Sequence, residues 1–269
     1  MTNYPGKRYK PLIGLVILLL VIAGSSILFV TKIEGSPARS AQHPRASTPT
    51  TTPSITPTPS PAPTLTPTPT LTPTPQPLFS DNFADNSKGW YVSDVSGYTR
   101  TVSNNRLTLS ATNHKILVES VPANQTFDDF TLTTTVTLLQ ADANDSVGLY
   151  MRGDSNLDHD YRIAISGNTM YSISKESLDA NNEQVVSYLV PPTHSAALHP
   201  LGQANTLTVT MQGPALTLSI NGTTVTSIID TDYTHGQIAL FVANGSTSDG
   251  VTAAFSSIEI DPLPDQPSS

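Results

Sequence analysis

The chain has 269 residues and a formal net charge of −8, divided unevenly between a segment of +5 (residues 1–77; six Lys or Arg, one acid) and a segment of −13 (residues 78–269; seven Lys or Arg, 20 Asp or Glu). The acidic segment lacks the basic footprint that nucleic acid requires, so we expect no nucleic-acid partner. The chain has no cysteine, which excludes disulfides, thiol catalysis and Cys-ligated zinc.

The first element is an apolar run of 19 uncharged residues, Leu12 to Val30. As a helix it would be about 28 Å long, close to the thickness of the hydrocarbon core of a bilayer. Three basic residues precede it, and the positive-inside rule places them in the cytoplasm. We therefore predict a cytoplasmic tail over residues 1–10 and a single transmembrane helix over residues 11–31, in the plasma membrane.

A cleaved signal peptide is the alternative for the same run. Small residues for a cleavage site are present in "SPARSA", Ser36 to Ala41. The apolar run is, however, longer than the ~7–15 residues usual for the core of a signal peptide. The length therefore favours an uncleaved anchor.

The next segment cannot form a compact domain. Residues 46–77 carry no charge and contain 11 prolines, and "TLTPTP" occurs twice in tandem. Proline fixes φ and removes a backbone donor, so these residues favour polyproline II at ~3.1 Å each, or about 100 Å in all. We predict an extracellular, disordered Pro/Thr-rich linker over residues 32–77, and a second disordered tail over residues 263–269.

From Leu78 onward the pattern alternates apolar residues with Thr or Ser, which is typical of half-buried strands. Asn221-Gly222 separates two such runs and predicts a type I′ hairpin. Ser166 to Asn168 separates two others, but a two-residue and a three-residue loop there place Tyr171 on opposite faces. The fold class we predict over residues 78–262 is all-β, a sandwich of two antiparallel sheets.

Several stretches resemble the concanavalin A-like jelly-roll superfamily, which includes lectins, laminin G-like modules, glycoside hydrolase family 16 enzymes and the 3-keto-disaccharide hydrolase domain. The resemblance implies a jelly roll, a bias toward glycans and a ligand held on the concave sheet. The stretches are "FSDNFADNSKGW" (79–90), "VGLYMRG" (147–153), "YRIAISGNTMYSISK" (161–175), "NTLTVTMQGPALTLSINGTTV" (205–225), "GQIALFV" (236–242) and "VTAAFSSIEI" (251–260). We expect Trp90, which ends the first stretch, to lie in the core.

Catalytic carboxyls are not evident. Retaining glycosidases need two carboxyl groups about 5–5.5 Å apart, and family 16 enzymes carry them on a Glu-x-Asp-x-Glu strand that this sequence lacks. The pairs Glu259/Asp261 and Asp158/Asp160 have a suitable spacing, but we interpret them as solvated acids of an acidic surface. We assign no catalytic residue.

Calcium is the one cofactor that the sequence suggests. "DANDS" is a short acidic loop before a predicted strand, and its oxygen-bearing side chains are the ligands that Ca²⁺ prefers. The candidate ligands are Asp142, Asn144 and Asp145. The alternative is an ordinary turn, since exposed turns favour Asp and Asn.

Alternation predicts a binding face. If Val147, Leu149 and Met151 point into the core, Tyr150 and Arg152 point outward, and Asp160 and Arg162 do so on the next strand. A hairpin would then place Tyr150 opposite Arg162 and Arg152 opposite Asp160. An aromatic ring beside charged groups suits a sugar, whereas the alternative is a set of cross-strand pairs worth ~0.2–1 kcal/mol each to the sheet.

These observations favour a membrane-anchored, non-catalytic module that binds glycan at the cell surface. One alternative is an enzyme acting on sugars, similar to a glycoside hydrolase or a 3-keto-disaccharide hydrolase. A second is a structural or protein-binding ectodomain.

Overall fold

The computed structural model describes residues 76–263, which contain fifteen β-strands and no helix. In chain order the strands are β1 Phe79–Asp81, β2 Ser93–Val95, β3 Tyr98–Ser103, β4 Arg106–Ala111, β5 Ile116–Ser120, β6 Phe130–Gln140, β7 Ser146–Gly153, β8 Asp160–Ser166, β9 Met170–Leu178, β10 Gln184–His194, β11 Ala204–Gln212, β12 Ala215–Ile220, β13 Thr223–Ile229, β14 Gln237–Ala243 and β15 Val251–Pro262.

The strands form two antiparallel sheets, which confirms the predicted all-β fold. The larger sheet has nine strands in the order β13-β12-β11-β6-β15-β4-β3-β2, with β1 added beside β15. The smaller sheet has six strands in the order β10-β9-β8-β7-β14-β5. Neighbours in each sheet are often far apart in sequence, as expected for a jelly-roll sandwich.

The core lies between the two sheets and is built by alternation. On β6, Leu132, Thr134 and Val136 are buried, while Thr133 and Thr135, which point the other way, are partly exposed. Trp90 is buried as predicted, with its ring centroid 5.4 Å from that of Phe83, and its indole N–H donates to Asp81 at 2.6 Å.

Two hairpins test the turn predictions. Asn221 and Gly222 have φ values of +50° and +79°, so the predicted turn joins β12 to β13 and uses the conformations that Asn and Gly tolerate best. Between β8 and β9, Ile165 pairs with Tyr171. This register turns the Tyr171 side chain into the core and resolves the alternative that the sequence left open.

The six-stranded sheet also buries side chains on its outer face, the face away from the sandwich core. There Tyr150, Ala239 and Phe241 form a second, smaller apolar cluster on β7 and β14. The burial of β7 on both faces sets this region apart from an ordinary half-exposed sheet.

The cytoplasmic tail, the transmembrane helix, the Pro/Thr-rich linker up to residue 75 and the tail from residue 264 lie outside the described residues. Within residues 76–263 no helix is long and apolar enough to cross a bilayer. The domain limits at 78 and 262 stay a prediction.

Candidate carbohydrate site

A row of side chains crosses the outer face of the six-stranded sheet. Tyr150 on β7 pairs with Arg162 on β8, as the sequence predicted. Arg162 pairs with Ser174 on β9, which in turn pairs with Tyr188 on the edge strand β10. Since paired residues on neighbouring strands share a face, these four side chains line up across the sheet.

Tyr150 is covered rather than presented to solvent. The guanidinium carbon of Arg162 lies 4.3 Å from the centroid of its ring, and the ring of Phe241 packs edge-on at 5.2 Å. Only 3% of Tyr150 is exposed. Burial raises the pKa of its hydroxyl, and the nearby Arg162 opposes part of that rise. The ring therefore packs under Arg162, as in the cross-strand pair that was the alternative to a sugar contact, and ligand binding by Tyr150 stays a prediction.

Arg152 does not join this row, which corrects the prediction that it lies beside Tyr150 and opposite Asp160. Its φ is +54°, a left-handed conformation that interrupts the alternation of the strand. The side chain is consequently buried, with 2% of the residue exposed.

The guanidinium of Arg152 holds loops together. Nε and Nη2 donate to the carbonyl of Asp128 at 2.9 and 2.6 Å, and Nη1 donates to the carbonyls of Gly213 and Tyr233 at 2.8 and 3.1 Å. Nη2 also forms an ion pair with Asp129 at 3.0 Å. These contacts give Arg152 a structural role.

A second acid completes the group around Arg162. Glu176 on β9 pairs with Asp160 on β8, and one of its oxygens lies 3.1 Å from Nη1 of Arg162. Its other oxygen accepts a hydrogen bond of 2.6 Å from Gln184. We call Tyr150, Asp160, Arg162 and Glu176 the charged cluster.

The carboxylate of Asp160 has no hydrogen-bond partner in the described part of the chain. It is fully buried, and neither carboxylate oxygen has a hydrogen-bond partner among residues 76–263. Burial raises the pKa of Asp160 to about 8, against the pull of Arg162 and with a further rise from the charge of Glu176. Burial also raises the pKa of Glu176. Arg162 likewise leaves Nε and Nη2 without partners there.

A groove of about 300 Å³ lies next to the charged cluster on the same face. Its floor carries the small side chains of Ala164 and Ser172, which face each other across β8 and β9. Gly148 pairs with Ala164, and a Cβ there would come within 1.8 Å of the Ile163 carbonyl oxygen. The other lining residues are mostly polar or aromatic: Ala143, Asn144, Asp145, Ser146, Ile165, Ser166, Asn168, Met170, Tyr171, Tyr188 and Pro192.

Tyr188 is the exposed aromatic residue of this groove, with 57% of its surface accessible. Neither Tyr188 nor Glu176 was predicted from the sequence. Both could have been found once the register at Tyr171 was known, because that register fixes which residues of β9 share a face with Arg162. For Tyr188 the bulges of β10 after it obscure the alternation further.

The predicted calcium ligands lie at one end of the groove. Asn144 and Asp145 line it, but Asp145 is buried and its oxygens accept from the amide of Gly245 at 2.7 Å and the hydroxyl of Ser248 at 2.5 Å. The amide of Asp142 donates to the same carboxylate at 2.7 Å. No group of three or more His, Asp or Glu suited to a metal occurs in residues 76–263. Both oxygens of Asp145 thus already have protein donors, and calcium at Asp142, Asn144 and Asp145 stays a prediction.

The two carboxyl pairs with glycosidase-like spacing are separated. Glu259 and Asp261 lie on β15 in the nine-stranded sheet, whereas Asp158 lies in the loop before β8. Only Asp160 of these four belongs to the charged cluster.

Comparison with known proteins gives one family. The model of the 3-keto-alpha-glucoside-1,2-lyase-like domain matches residues 74–261, well over half of the chain. No curated protein sequence matches this chain.

Three solved structures are similar to this chain. A protein from a study of endo-acting O-glycanases that initiate mucin breakdown in human gut microbiota has a TM-score of 0.53 at 11% identity, covering 70% of this chain and 100% of its own. A glycoside hydrolase family 16 endo-glucanase from Bacteroides ovatus has a TM-score of 0.50 at 13% identity, and the match covers 68% of this chain and 99% of the endo-glucanase. The carbohydrate-binding module CBM66 from Bacillus subtilis has a TM-score of 0.49 at 14% identity, and the match covers 64% of this chain and 95% of the module.

Proposed function

The chain belongs to the 3-keto-alpha-glucoside-1,2-lyase-like domain family, and on that premise we propose that its β-sandwich binds a carbohydrate on the outer face of the six-stranded sheet. The groove beside the charged cluster carries the proposal. It combines an exposed ring, Tyr188, with a floor of small side chains and a rim of hydroxyl and amide groups. A ring that packs on an apolar sugar face, with polar groups that fix its hydroxyls, is the usual composition of a small-molecule site.

The ligand class we propose is a neutral glycan. Residues 78–269 carry a net charge of −13, and the cation beside the groove, Arg162, is already paired with Glu176. A uronate or sulfate group would meet these acids without a free cation to balance it, which costs affinity by like-charge repulsion. A neutral oligosaccharide avoids that cost.

We propose that the module binds without catalysis. Glu176 forms an ion pair with Arg162 and accepts from Gln184, and both partners hold the carboxylate in a fixed, buried position. These contacts support a structural and recognition role for the acid better than a role in proton transfer.

Proton transfer is nevertheless the second candidate, because a specific observation favours it. Asp160 is a buried carboxyl whose pKa is raised to about 8, and groups with strongly shifted pKa values concentrate at catalytic sites. A lyase that removes a proton beside a carbonyl needs such a group as its base or acid. In that case Asp160 would be the base, and Arg162 would stabilise developing negative charge on the substrate oxygen.

One experiment separates these functions. The purified full-length chain is applied to an array of neutral and acidic glycans, and the bound glycans, together with a 3-keto-glucoside, are incubated with it and analysed by mass spectrometry. Binding of neutral glycans without turnover supports the proposal. Turnover that Asp160→Asn abolishes supports the enzyme. Absence of both, with retained fold, would favour the protein-binding ectodomain.

For the N-terminal segment we propose a single-pass anchor over residues 11–31, with the β-sandwich outside the plasma membrane. The uncharged 19-residue run and the basic residues before it support this. Mass spectrometry of the membrane fraction should find the original N-terminus. A new N-terminus between residues 24 and 42 would identify a cleaved signal peptide instead.

A further inference from the structure

The loop between β7 and β8, residues 154–159, covers part of the outer face through one side chain. Leu157 packs against the apolar cluster of Tyr150, Ala239 and Phe241. The other side chains packed on that cluster come from β5, β8 and β14, so Leu157 is the contact that does not belong to a strand. It also lies near the start of β8, because a Cβ built on Gly153 would come within 2.4 Å of Leu157 Cδ2 and 3.5 Å of Asp160 Cβ.

Apart from the ring of His159, which packs edge-on against Tyr233 at 6.3 Å, the rest of this loop makes hydrogen bonds within itself. The Asp154 carboxylate accepts from the amides of Asn156 and Asp158 at 3.1 and 2.9 Å and contacts the His159 ring nitrogen at 3.1 Å. The backbone of Asp154 also exchanges hydrogen bonds with His159 and Leu157. A loop that carries its own hydrogen bonds can move without breaking those of the sheet, and the contacts to be lost are then the packing of Leu157 on the apolar cluster and the ring contact of His159 with Tyr233.

Asp160 and Arg162 lie at the start of β8, where this loop ends, and are left with unused hydrogen-bonding capacity. Both oxygens of the fully buried Asp160, and two nitrogens of Arg162, have no partner among residues 76–263. Buried polar groups are normally paired, because an unpaired one loses its hydration without replacement. A carboxyl group and two guanidinium N–H groups, two residues apart on one face, complement a pair of neighbouring sugar hydroxyls, each of which can both donate and accept.

This place is continuous with the groove. Ala164 on the groove floor is two residues from Arg162 on the same face of β8, or about 7 Å at the rise of a strand. One sugar unit in the groove would therefore place the next one over the charged cluster if the cover were removed.

We propose that the groove continues beneath Leu157 into a closed subsite, in which Asp160 and Arg162 bind two neighbouring hydroxyls of a sugar, and that the 154–159 loop lifts to admit it. The subsite rests on the proposed carbohydrate binding. The cover by Leu157 does not, and it can be tested without any ligand.

The ligand-free test is carbodiimide-coupled amine labelling of the full-length chain, with peptide mass spectrometry at individual carboxyls. Exposed Asp85 and buried Asp145 serve as internal references for free access and for global unfolding. In the wild type, Asp160 should label far more slowly than Asp85. In Leu157→Ala it should label roughly tenfold faster, because the leucine packing that holds the loop down is gone. Ser155→Ala, an exposed change in the same loop, should behave as the wild type.

Asp145 distinguishes loop opening from unfolding. Faster labelling at Asp160 alone supports the cover, whereas an unchanged rate at Asp160 in Leu157→Ala, or an equal rise at Asp145, overturns it. Leu157→Met, which keeps an apolar side chain of similar size, should restore slow labelling if packing is the cause.

A binding arm tests the subsite with a mixed-linkage gluco-tetrasaccharide as the probe, by surface plasmon resonance. The association rate should rise several-fold in Leu157→Ala and fall to background in the double variant Leu157→Ala/Arg162→Met. An association rate unaffected by either change overturns the subsite. If neither the wild type nor Leu157→Ala binds any glycan while Asp160 becomes accessible, the carbohydrate assignment fails and the cover by Leu157 stands.

Discussion

Arg162 lies over the ring of Tyr150, with its guanidinium carbon 4.3 Å from the centre of the ring, while its Nη1 contacts Glu176 at 3.1 Å. One side chain thus links an apolar cluster on β7 and β14 to an acid on β9. Tyr150 is buried by this contact, so its main contribution is to the stability of the sheet and not to the binding of a ligand. Arg162 keeps two unpartnered nitrogens and can serve both purposes.

Tyr150→Ala should lower the free energy of unfolding by about 3–5 kcal/mol, the usual cost of removing a large buried aromatic side chain. Tyr150→Phe keeps the ring under Arg162 and should cost less than ~1.5 kcal/mol. Urea denaturation of both variants measures the difference. A Tyr150→Ala variant as stable as the wild type but unable to bind glycan would instead identify the ring as a ligand contact.

Arg152→Lys should lower the free energy of unfolding by about 3 kcal/mol or more. A lysine cannot reproduce the fork of donors that reaches three carbonyls and Asp129. Buried acceptors left without a hydrogen bond destabilise the folded state. Arg106→Ala, an exposed arginine on β4, is the matched control and should change stability by no more than ~0.5 kcal/mol. Glycan binding by the folded fraction of Arg152→Lys should match that of the wild type. A loss of binding without a loss of stability would instead show that Arg152 contributes to the binding site.

The fold could be predicted from sequence because the signals for it are local. Alternating threonines mark the strands, and Asn221-Gly222 specifies a turn that only residues tolerant of positive φ can make. The pairing of Tyr150 with Arg162 follows from two alternating strands and a short connection, and it was predicted correctly.

The site could be predicted only in part, because it depends on departures from alternation. A single left-handed residue at Arg152 turns its side chain away from the face that period two assigns to it. The loop at 166–169 fixes the face of Glu176, and its length could not be chosen from sequence. The bulges of β10 after Tyr188 break the pattern in the same way. Each departure is a backbone event of one or two residues with no distinct signature in the side chains.

The titration of Asp160 should make the free energy of unfolding depend on pH. Its pKa is raised to about 8 by burial, whereas an unfolded aspartate titrates near ~4. Between these values the folded state binds more protons than the unfolded chain, so the free energy of unfolding falls as the pH rises, and the raised pKa of Glu176 acts in the same direction.

Thermal unfolding from pH 5 to 8.5 tests this dependence. The melting temperature of the wild type should fall over the range, and Asp160→Asn, which cannot ionise, should fall less. Asp249→Asn, at an exposed position, should follow the wild type. Parallel curves for the wild type and Asp160→Asn would show that Asp160 has an ordinary pKa in the folded protein.

Tyr188→Ala should weaken glycan binding about tenfold, or ~1.4 kcal/mol, with little effect on stability. The ring is more than half exposed on an edge strand, so its removal opens no cavity, yet it lies in the groove beside Ser172 and in one row with Ser174 and Arg162. Tyr188→Phe should bind nearly as well as the wild type if the flat face of the ring is the contact, and less well if the hydroxyl is. Val185→Ala is the matched control, because it removes an exposed apolar side chain from the same strand at a position that alternation assigns to the opposite face.

Isothermal titration with a neutral oligosaccharide bound by the wild type measures all three variants. Equal losses in Tyr188→Ala and Val185→Ala would trace the effect to the edge strand as a whole, whereas a loss confined to Tyr188 places the sugar on this side of the sheet, because no other residue of the row exposes an aromatic face to solvent.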